Sequence, residues 1–122
     1  MRMLVCLLAL VAAPAWAEWV QVAESDDATV YVDPATIRKD GDVRTVGTLY
    51  DLTEKGKLGE MSRRALEAHD CKEARYRTLS YSLYPEPMSG GQLLLTNDYV
   101  SRWAVSVPDT PPWDILRIVC DQ

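Results

Sequence analysis

The sequence has little of the chemistry that enzymes and metal sites need. It contains one histidine and three cysteines among 122 residues. No group of His, Cys, Asp and Glu residues has the spacing of metal ligands. The acidic stretches Asp26-Asp27 and Asp40-Gly41-Asp42 are too short for a calcium loop and indicate turns. We therefore expect no metal and no cofactor.

The single histidine, His69, is also poorly placed for nucleophilic catalysis. On a strand it shares a face with Glu67, which allows a carboxylate–imidazole pair. Catalysis would further need a hydroxyl or thiol oriented by that base, and neither Ser80 nor Ser82 lies in a motif typical of a nucleophile. We interpret His69 as a histidine at the rim of a sheet, and we expect no enzyme activity; a small hydrolase is the weakest hypothesis.

Long apolar runs are missing as well. The longest uninterrupted run, residues 4–13, is shorter than the roughly 20 residues that a transmembrane helix needs. It follows the positive charge of Arg2 and precedes the small-x-small pattern Ala15-Trp16-Ala17. This arrangement predicts a secretory signal peptide over residues 1–17, cleaved between Ala17 and Glu18, and one domain over residues 18–122.

The cleavage site also bears on membrane attachment and on charge. A lipoprotein anchor needs a cysteine at the cleavage point, and Cys6 comes too early. Of the 13 basic and 18 acidic residues only Arg2 leaves with the signal, so 12 against 18 gives the mature chain a net charge of −6. Such an acidic domain is a poor candidate for binding nucleic acid, which requires neutralisation of phosphates.

Two cysteines, Cys71 and Cys120, remain in the mature chain. In an oxidising compartment two cysteines of a small domain usually pair, and this pair would close a loop worth about 4 kcal/mol in the loop-entropy model. The alternative is a pair of free thiols or a metal site. The composition favours the disulfide between Cys71 and Cys120.

Alternating apolar and polar residues predict an antiparallel sheet of about six strands, in a mainly β (α+β) fold. The predicted strands cover residues 19–22, 29–33, 43–52, 61–71, 75–84 and 92–96, with a loosely ordered return over 99–107. The strongest hairpin joins 61–71 to 75–84. Asp33-Pro34-Ala35-Thr36-Ile37 interrupts the pattern, and we expect a short helical turn there with Asp33 as its cap.

The C-terminal segment changes to a helical period. Thr110 is a possible cap, Pro111 suits the first helical position, and Asp114 and Arg117 match the helix dipole. Cys120 would lie on the buried face of this helix, so that the disulfide would tether the helix to the sheet.

The position of Leu66 conflicts with a regular strand. Leu66 and Cys71 are five residues apart, which places them on opposite faces. If both point inward, the strand needs a bulge within residues 67–70.

Five positive charges are concentrated on the predicted hairpin of this acidic protein: Arg63, Arg64, Lys72, Arg75 and Arg77. Such a patch could bind an acidic protein surface, a glycan or an anionic lipid head group. The alternative is protection of strand ends against edge pairing. Trp19, Trp103 and Trp113 likewise suit either a binding stripe or core anchors.

Several segments resemble the surface-adhesin protein E family of Gram-negative bacteria. They are Trp19-Val20, Glu24-Ser25-Asp26-Asp27, Tyr31-Val32-Asp33-Pro34-Ala35-Thr36-Ile37-Arg38, Asp70-Cys71-Lys72-Glu73-Ala74-Arg75-Tyr76-Arg77, Gly90 and Ile118-Val119-Cys120. The resemblance implies a small antiparallel sheet of about six strands and a C-terminal helix tethered by the disulfide. It also implies an exported binding domain, adhesive in the namesake of the family, which binds host extracellular-matrix proteins.

Two functional hypotheses follow. The first is a non-enzymatic binding domain in the periplasm or at the cell surface, with the basic hairpin as its contact region and a host-matrix or envelope protein as its partner. The second is an accessory or assembly protein of the envelope that recognises another protein through a sheet edge. A homodimer stays open under both hypotheses.

Overall fold

The computed structural model describes residues 18–121, and the predicted signal peptide with Ala17 lies outside them. The elements are β1 (Val20–Glu24), β2 (Ala28–Asp40), β3 (Val43–Leu52), β4 (Ser62–Asp70), β5 (Arg75–Tyr84), a short 3-10 helix (Pro87–Ser89), β6 (Leu95–Asn97), β7 (Ala104–Val105) and α1 (Pro111–Cys120). They confirm the mainly β class with one C-terminal helix. No helix among the described residues is long and apolar enough to cross a membrane.

All seven strands form one antiparallel sheet in the order β1-β2-β3-β4-β5-β6, and β7 pairs with β5 as well. The last strands share the outer edge of β5: β6 pairs with Tyr81–Leu83, and β7 pairs with Arg75 and Tyr76. Sequence neighbours are therefore sheet neighbours; short turns connect β1 to β2, β2 to β3 and β4 to β5, whereas a longer loop over residues 53–61 connects β3 to β4.

The helix α1 covers one side of this sheet, which we call the helix face; the opposite side is the far face. Three fully buried valines, Val30, Val32 and Val46, meet Ile115 and Val119 of the helix there. The apolar residues of α1 recur at helical spacing, whereas those of β2 and β3 alternate, so one stripe and one face pack together.

The helix begins where the sequence predicts, although its cap differs. The carbonyl of Thr110 accepts hydrogen bonds from the N–H groups of Trp113 (3.0 Å) and Asp114 (3.2 Å). The Thr110 hydroxyl does not cap these groups but donates to the carbonyl of Val107 at 2.6 Å. Thr110 is thus the boundary residue, and its side chain fixes the preceding turn.

A disulfide joins Cys71 to Cys120, with 5.7 Å between the two Cα atoms. Cys71 directly follows β4, and Cys120 is the last residue of α1. The bond therefore attaches the end of the helix to the β4–β5 turn, which confirms the predicted tether.

The predicted helical turn after Asp33 is wrong; β2 instead contains a bulge of several residues. Asp33 pairs with Gly47 and Arg38 with Thr45, so four residues of β2 lie opposite Val46 alone. The bulge is held by Thr36, whose hydroxyl donates to the Asp33 carbonyl (2.6 Å) and accepts from the Gly47 N–H (2.7 Å). This side chain takes over the ladder bond that the proline-containing segment loses.

The expected inward position of Leu66 is also wrong. Leu66 is 39% exposed, and β4 pairs with β3 in unbroken register along its length. The irregularity lies in the next strand, because Leu66 pairs with Ser80 and Glu67 with Thr78, which leaves Leu79 of β5 as the extra residue. Since β3 holds β4 regular, the bulge falls on its other neighbour.

Replacing both Cys71 and Cys120 by serine should lower the free energy of unfolding by about 4 kcal/mol, because the open chain regains the entropy of a 49-residue loop. Denaturant unfolding of the oxidised protein and the variant measures the difference. A reductant added to the variant serves as the control and should change nothing. A difference below about 1 kcal/mol would show that the bond contributes little to stability.

Candidate binding site

The alternation of strands divides the predicted basic patch between the two faces of the sheet. Arg63 pairs with Tyr50, which packs against the core, so Arg63 lies on the helix face. Arg64 therefore lies on the far face. Arg75 and Arg77 share that far face, because they pair with Asp70 and Ala68, at even spacing from Arg64 along β4.

On the far face the arginines contact tryptophan rings. The guanidinium carbons of Arg75 and Arg77 lie 4.6 and 4.3 Å from the centroid of Trp103. The Arg64 guanidinium lies 5.5 Å from the centroid of Trp19. Stacking on an aromatic face orients a guanidinium and leaves its N–H groups free in the plane. Two of the three tryptophans thus hold cations on this face.

The β4–β5 turn that precedes these arginines is organised by Asp70. One carboxylate oxygen accepts the backbone N–H groups of Lys72 and Glu73, each at 3.1 Å, and the other accepts Nε of Arg75 at 3.0 Å. The pKa of Asp70 lies below its usual value, chiefly because its carboxylate accepts the Glu73 N–H and also because of Arg75 and the Lys72 N–H. Desolvation acts in the opposite direction. The carboxylate therefore stays charged and holds Arg75, while Lys72 is exposed at the tip of the turn.

His69 is buried within the helix face, so the expectation of a rim histidine is wrong. Its side chain is fully inaccessible, and its ring stacks on Tyr76 with centroids 5.9 Å apart. Nε2 lies 3.0 Å from a carboxylate oxygen of Glu67, which is itself 1% exposed. The polar pair that the sequence allows therefore exists, but inside the domain.

Glu67 is satisfied by three neighbouring side chains. Tyr50 and Thr48 direct their hydroxyls at one carboxylate oxygen, at 2.5 and 3.1 Å, and His69 contacts the other. Burial, followed by the nearby Glu67 charge, raises the pKa of Tyr50 well above its ordinary value. The phenol therefore remains a donor to Glu67 across the neutral range.

The geometry does not join His69 to a nucleophile. Ser80 and Ser82 lie on the far face of β5, and the Ser82 hydroxyl is 3.1 Å from that of Thr96. Within residues 18–121, Nδ1 of His69 has no hydrogen-bond partner. The same part of the chain holds no cluster of three or more His, Cys, Asp or Glu side chains suited to a metal ion.

The helix face also contains a cavity of about 610 Å³ that the sequence did not reveal. Its walls come from β2 to β5, the turn before β2, the segment around β7 and the first residues of α1. The lining residues are Ser25, Asp27, Ala28, Val30, Tyr50, Arg63, Glu67, Tyr76, Thr78, Ser101, Arg102, Ala104, Pro111 and Pro112. The only local signal was the alternation of Tyr76 and Thr78 on β5, since the other walls arrive from distant parts of the chain.

Comparison with known proteins places this fold in a family. The family model described as surface-adhesin protein E matches residues 19–121. Among curated proteins, none matches the chain significantly.

Solved structures of protein E from Haemophilus influenzae share the fold. Crystal form II has a TM-score of 0.67 at 15% sequence identity, covering 87% of this chain and 89% of the other. Protein E from a non-typeable strain has a TM-score of 0.64 at 13% identity, covering 89% of this chain and 79% of the other. At such low identity the likeness concerns the fold alone.

Replacing Tyr50 by phenylalanine should lower the free energy of unfolding by about 1.5–3 kcal/mol at pH 7, because a buried carboxylate loses a hydrogen-bond donor. In the folded protein the pKa of Tyr50 lies above the value near 10 that it has in the unfolded chain. This difference stabilises the fold fully below about pH 10, and the stabilisation is lost as the pH rises through the raised pKa. The alkaline decline in stability should therefore be smaller in the variant. Denaturant unfolding at pH 7 and at several pH values above 10 measures both effects.

Tyr99→Phe is the matched control, since Tyr99 is 80% exposed. This variant should have the same free energy of unfolding as the parent at pH 7 and at each pH above 10. An unaltered stability of Tyr50→Phe would contradict the assigned role of the Tyr50 hydroxyl.

Proposed function

The chain belongs to the surface-adhesin protein E family, and we propose that it is an exported, non-enzymatic domain that binds another protein. The observation that carries the proposal is the stacking of Arg64, Arg75 and Arg77 on tryptophans at the far face of an acidic protein. These oriented cations favour an acidic protein surface as the partner, in the extracellular matrix or in the cell envelope.

Export is supported by two features. The predicted signal peptide ends at Ala17, and the domain that follows is closed by the disulfide between Cys71 and Cys120. Disulfides of small domains persist in oxidising compartments such as the periplasm or the cell surface. We propose that the mature protein begins at Glu18 and reaches one of these compartments.

The proposed contact region contains four of the five basic residues of the predicted hairpin and leaves out Arg63. Arg64, Arg75 and Arg77 share one face, and Lys72 lies in the turn that precedes Arg75. Arg63 faces the opposite way, so it would not contact the same partner. Asp70 neutralises part of the Arg75 charge, which leaves Arg77 as the stronger cation next to Trp103.

The double replacement Arg75→Ala/Arg77→Ala should weaken binding to an acidic partner about tenfold at low salt and less at high salt, since exposed charge pairs are weak and screened. Binding of the oxidised mature domain to immobilised extracellular-matrix proteins and to envelope extracts measures the effect. Arg38→Ala/Lys39→Ala is the control, because it removes the same charge from exposed positions of β2. Equal binding by both double variants and the parent would discard the arginine surface.

A second candidate function, an envelope accessory protein that recognises its partner through a sheet edge, is favoured by a different observation. Large apolar side chains are exposed along the outer edge of β5 and the segments that cover it: Leu93, Leu94, Leu95, Tyr99, Val100, Val105 and Val107. An apolar edge with only two short strands attached is suited to pairing with another chain, including a second copy of this one.

Cell fractionation separates the two candidates. Protease added to intact cells should cleave a surface adhesin and spare a periplasmic accessory protein, with a resident periplasmic protein as the control for leakage. Sedimentation of the purified domain tests the homodimer. The hydrolase hypothesis keeps the least support, because no serine or threonine hydroxyl of residues 18–121 bonds to His69.

A further inference from the structure

Part of the hydrogen-bonding capacity of Arg63 is unused among the described residues. Arg63 lines the cavity of the helix face, and no carboxylate of residues 18–121 lies within ion-pair distance of it. Its guanidinium makes one hydrogen bond, from Nη2 to the Thr78 hydroxyl at 3.3 Å, and its buried Nε has no partner. A partly buried guanidinium normally makes several hydrogen bonds, so this one has donor capacity that the described residues leave unused.

The nearby carboxylate of Glu67 does not fill that capacity. Both of its oxygens are already engaged: one accepts from the Tyr50 and Thr48 hydroxyls, and the other contacts His69. The other acid of the cavity, Asp27, is exposed in the turn before β2. The free charged group at the floor of the cavity is therefore the donor Arg63, whereas the exposed rim carries one cation, Arg102, and one carboxylate, Asp27.

Aromatic rings hold Arg63 in place. Its guanidinium carbon lies 4.8 Å from the centroid of Tyr81 and 5.7 Å from that of Tyr50. Stacking fixes the plane of the guanidinium without consuming the hydrogen-bonding directions within the plane. The side chain is thus oriented before any ligand arrives, which reduces the entropy lost on binding.

The remaining walls are largely apolar. Val30, Ala104, Pro111 and Pro112 surround the polar floor, together with the Tyr76 ring. A volume of about 610 Å³ lies within the usual range of small-molecule sites, which combine apolar walls with a few placed polar groups.

From these observations we propose that the cavity binds a small organic carboxylate, with its anionic group on the Arg63 guanidinium and its apolar part against Tyr76 and the two prolines. The arginine fork matches a carboxylate in geometry as well as in charge. This site lies on the opposite face from the proposed protein contact, so neither proposal depends on the other.

Phenylacetate is a suitable probe, and phenylacetamide is its neutral counterpart of the same shape. A titration of the oxidised domain, followed by amide chemical shifts, should show saturable changes at Arg63, Tyr76, Thr78 and Ser101 with phenylacetate. The amide should bind at least about tenfold more weakly, because it cannot form a charge-assisted pair with arginine.

Adjacent arginines provide matched variants. Arg63→Met keeps an unbranched apolar side chain but removes the guanidinium, and should weaken phenylacetate binding about tenfold or more. Arg64→Met makes the same change one residue further, on the far face, and should bind like the parent. If Arg63→Met does not fold, the shift map of the parent and the amide comparison still decide the question.

The source of the carboxylate is distinguished by a second arm. A tripeptide ending in phenylalanine, with a free or an amidated C-terminus, replaces the free acid. If the peptide with a free C-terminus binds and the amidated peptide does not, the site also accepts peptide ends. If phenylacetate binds and neither peptide does, the site is restricted to small acids. No saturable change with either acid, equal binding of acid and amide, or equal effects of the two arginine variants would overturn the proposal.

Discussion

The structure depends on how one short helix covers one face of a wide sheet. The helix α1 has 10 residues, which makes it about 15 Å long, whereas five strands placed about 4.8 Å apart are wider than that. The disulfide at Cys120 holds the end of this helix at the β4–β5 turn. Two of its buried residues, Ile115 and Val119, can then reach the valines of β2 and β3 but not the whole helix face.

What the helix leaves uncovered becomes the cavity. The segment before α1 runs along β5 and pairs with it through β7. This segment forms one wall of the cavity, next to Pro111 and Pro112 at the start of α1. The floor beneath it carries the polar residues of β4 and β5, among them Glu67 and Arg63. Polar groups are tolerated there because the Tyr50 and Thr48 hydroxyls donate to Glu67, His69 contacts its other oxygen, and Arg63 stacks on tyrosines.

The same sheet separates two kinds of surface by a single residue step. Arg63 and its neighbour Arg64 point to opposite faces, so Arg63 lines the open cavity of the helix face and Arg64 contacts a tryptophan on the far face. Under the proposed protein contact, the far-face arginines and not Arg63 would meet the partner. The family supports a binding role for the chain, and the geometry assigns each cation to one of two separate surfaces.

Local patterns predicted much of this fold. The third strand was predicted at residues 43–52, which is where β3 lies, and the start of α1 at Pro111 is correct. The pairing of Cys71 with Cys120 followed from compartment and count. These features depend on strand alternation, helix period and proline geometry, which are determined by residues close together in the sequence.

The errors concern positions decided by other strands. The segment after Asp33 bulges because Thr36 bonds to Gly47 of the next strand, and Leu66 is exposed because the extra residue falls on β5. His69 is buried because the return segment and α1 complete the helix face, which no local pattern reveals. The cavity was missed for the same reason.

Hydrogen exchange of the oxidised and the reduced domain tests most directly whether the disulfide holds the helix on the sheet. With the bond intact, amides of Ile115–Cys120 should exchange together with those in the centre of β3, as one cooperative unit. After reduction the helix amides, with those around β7, should exchange faster than the β3 amides. If helix and sheet amides still exchange in parallel after reduction, packing alone secures the helix and the tether does not have this role.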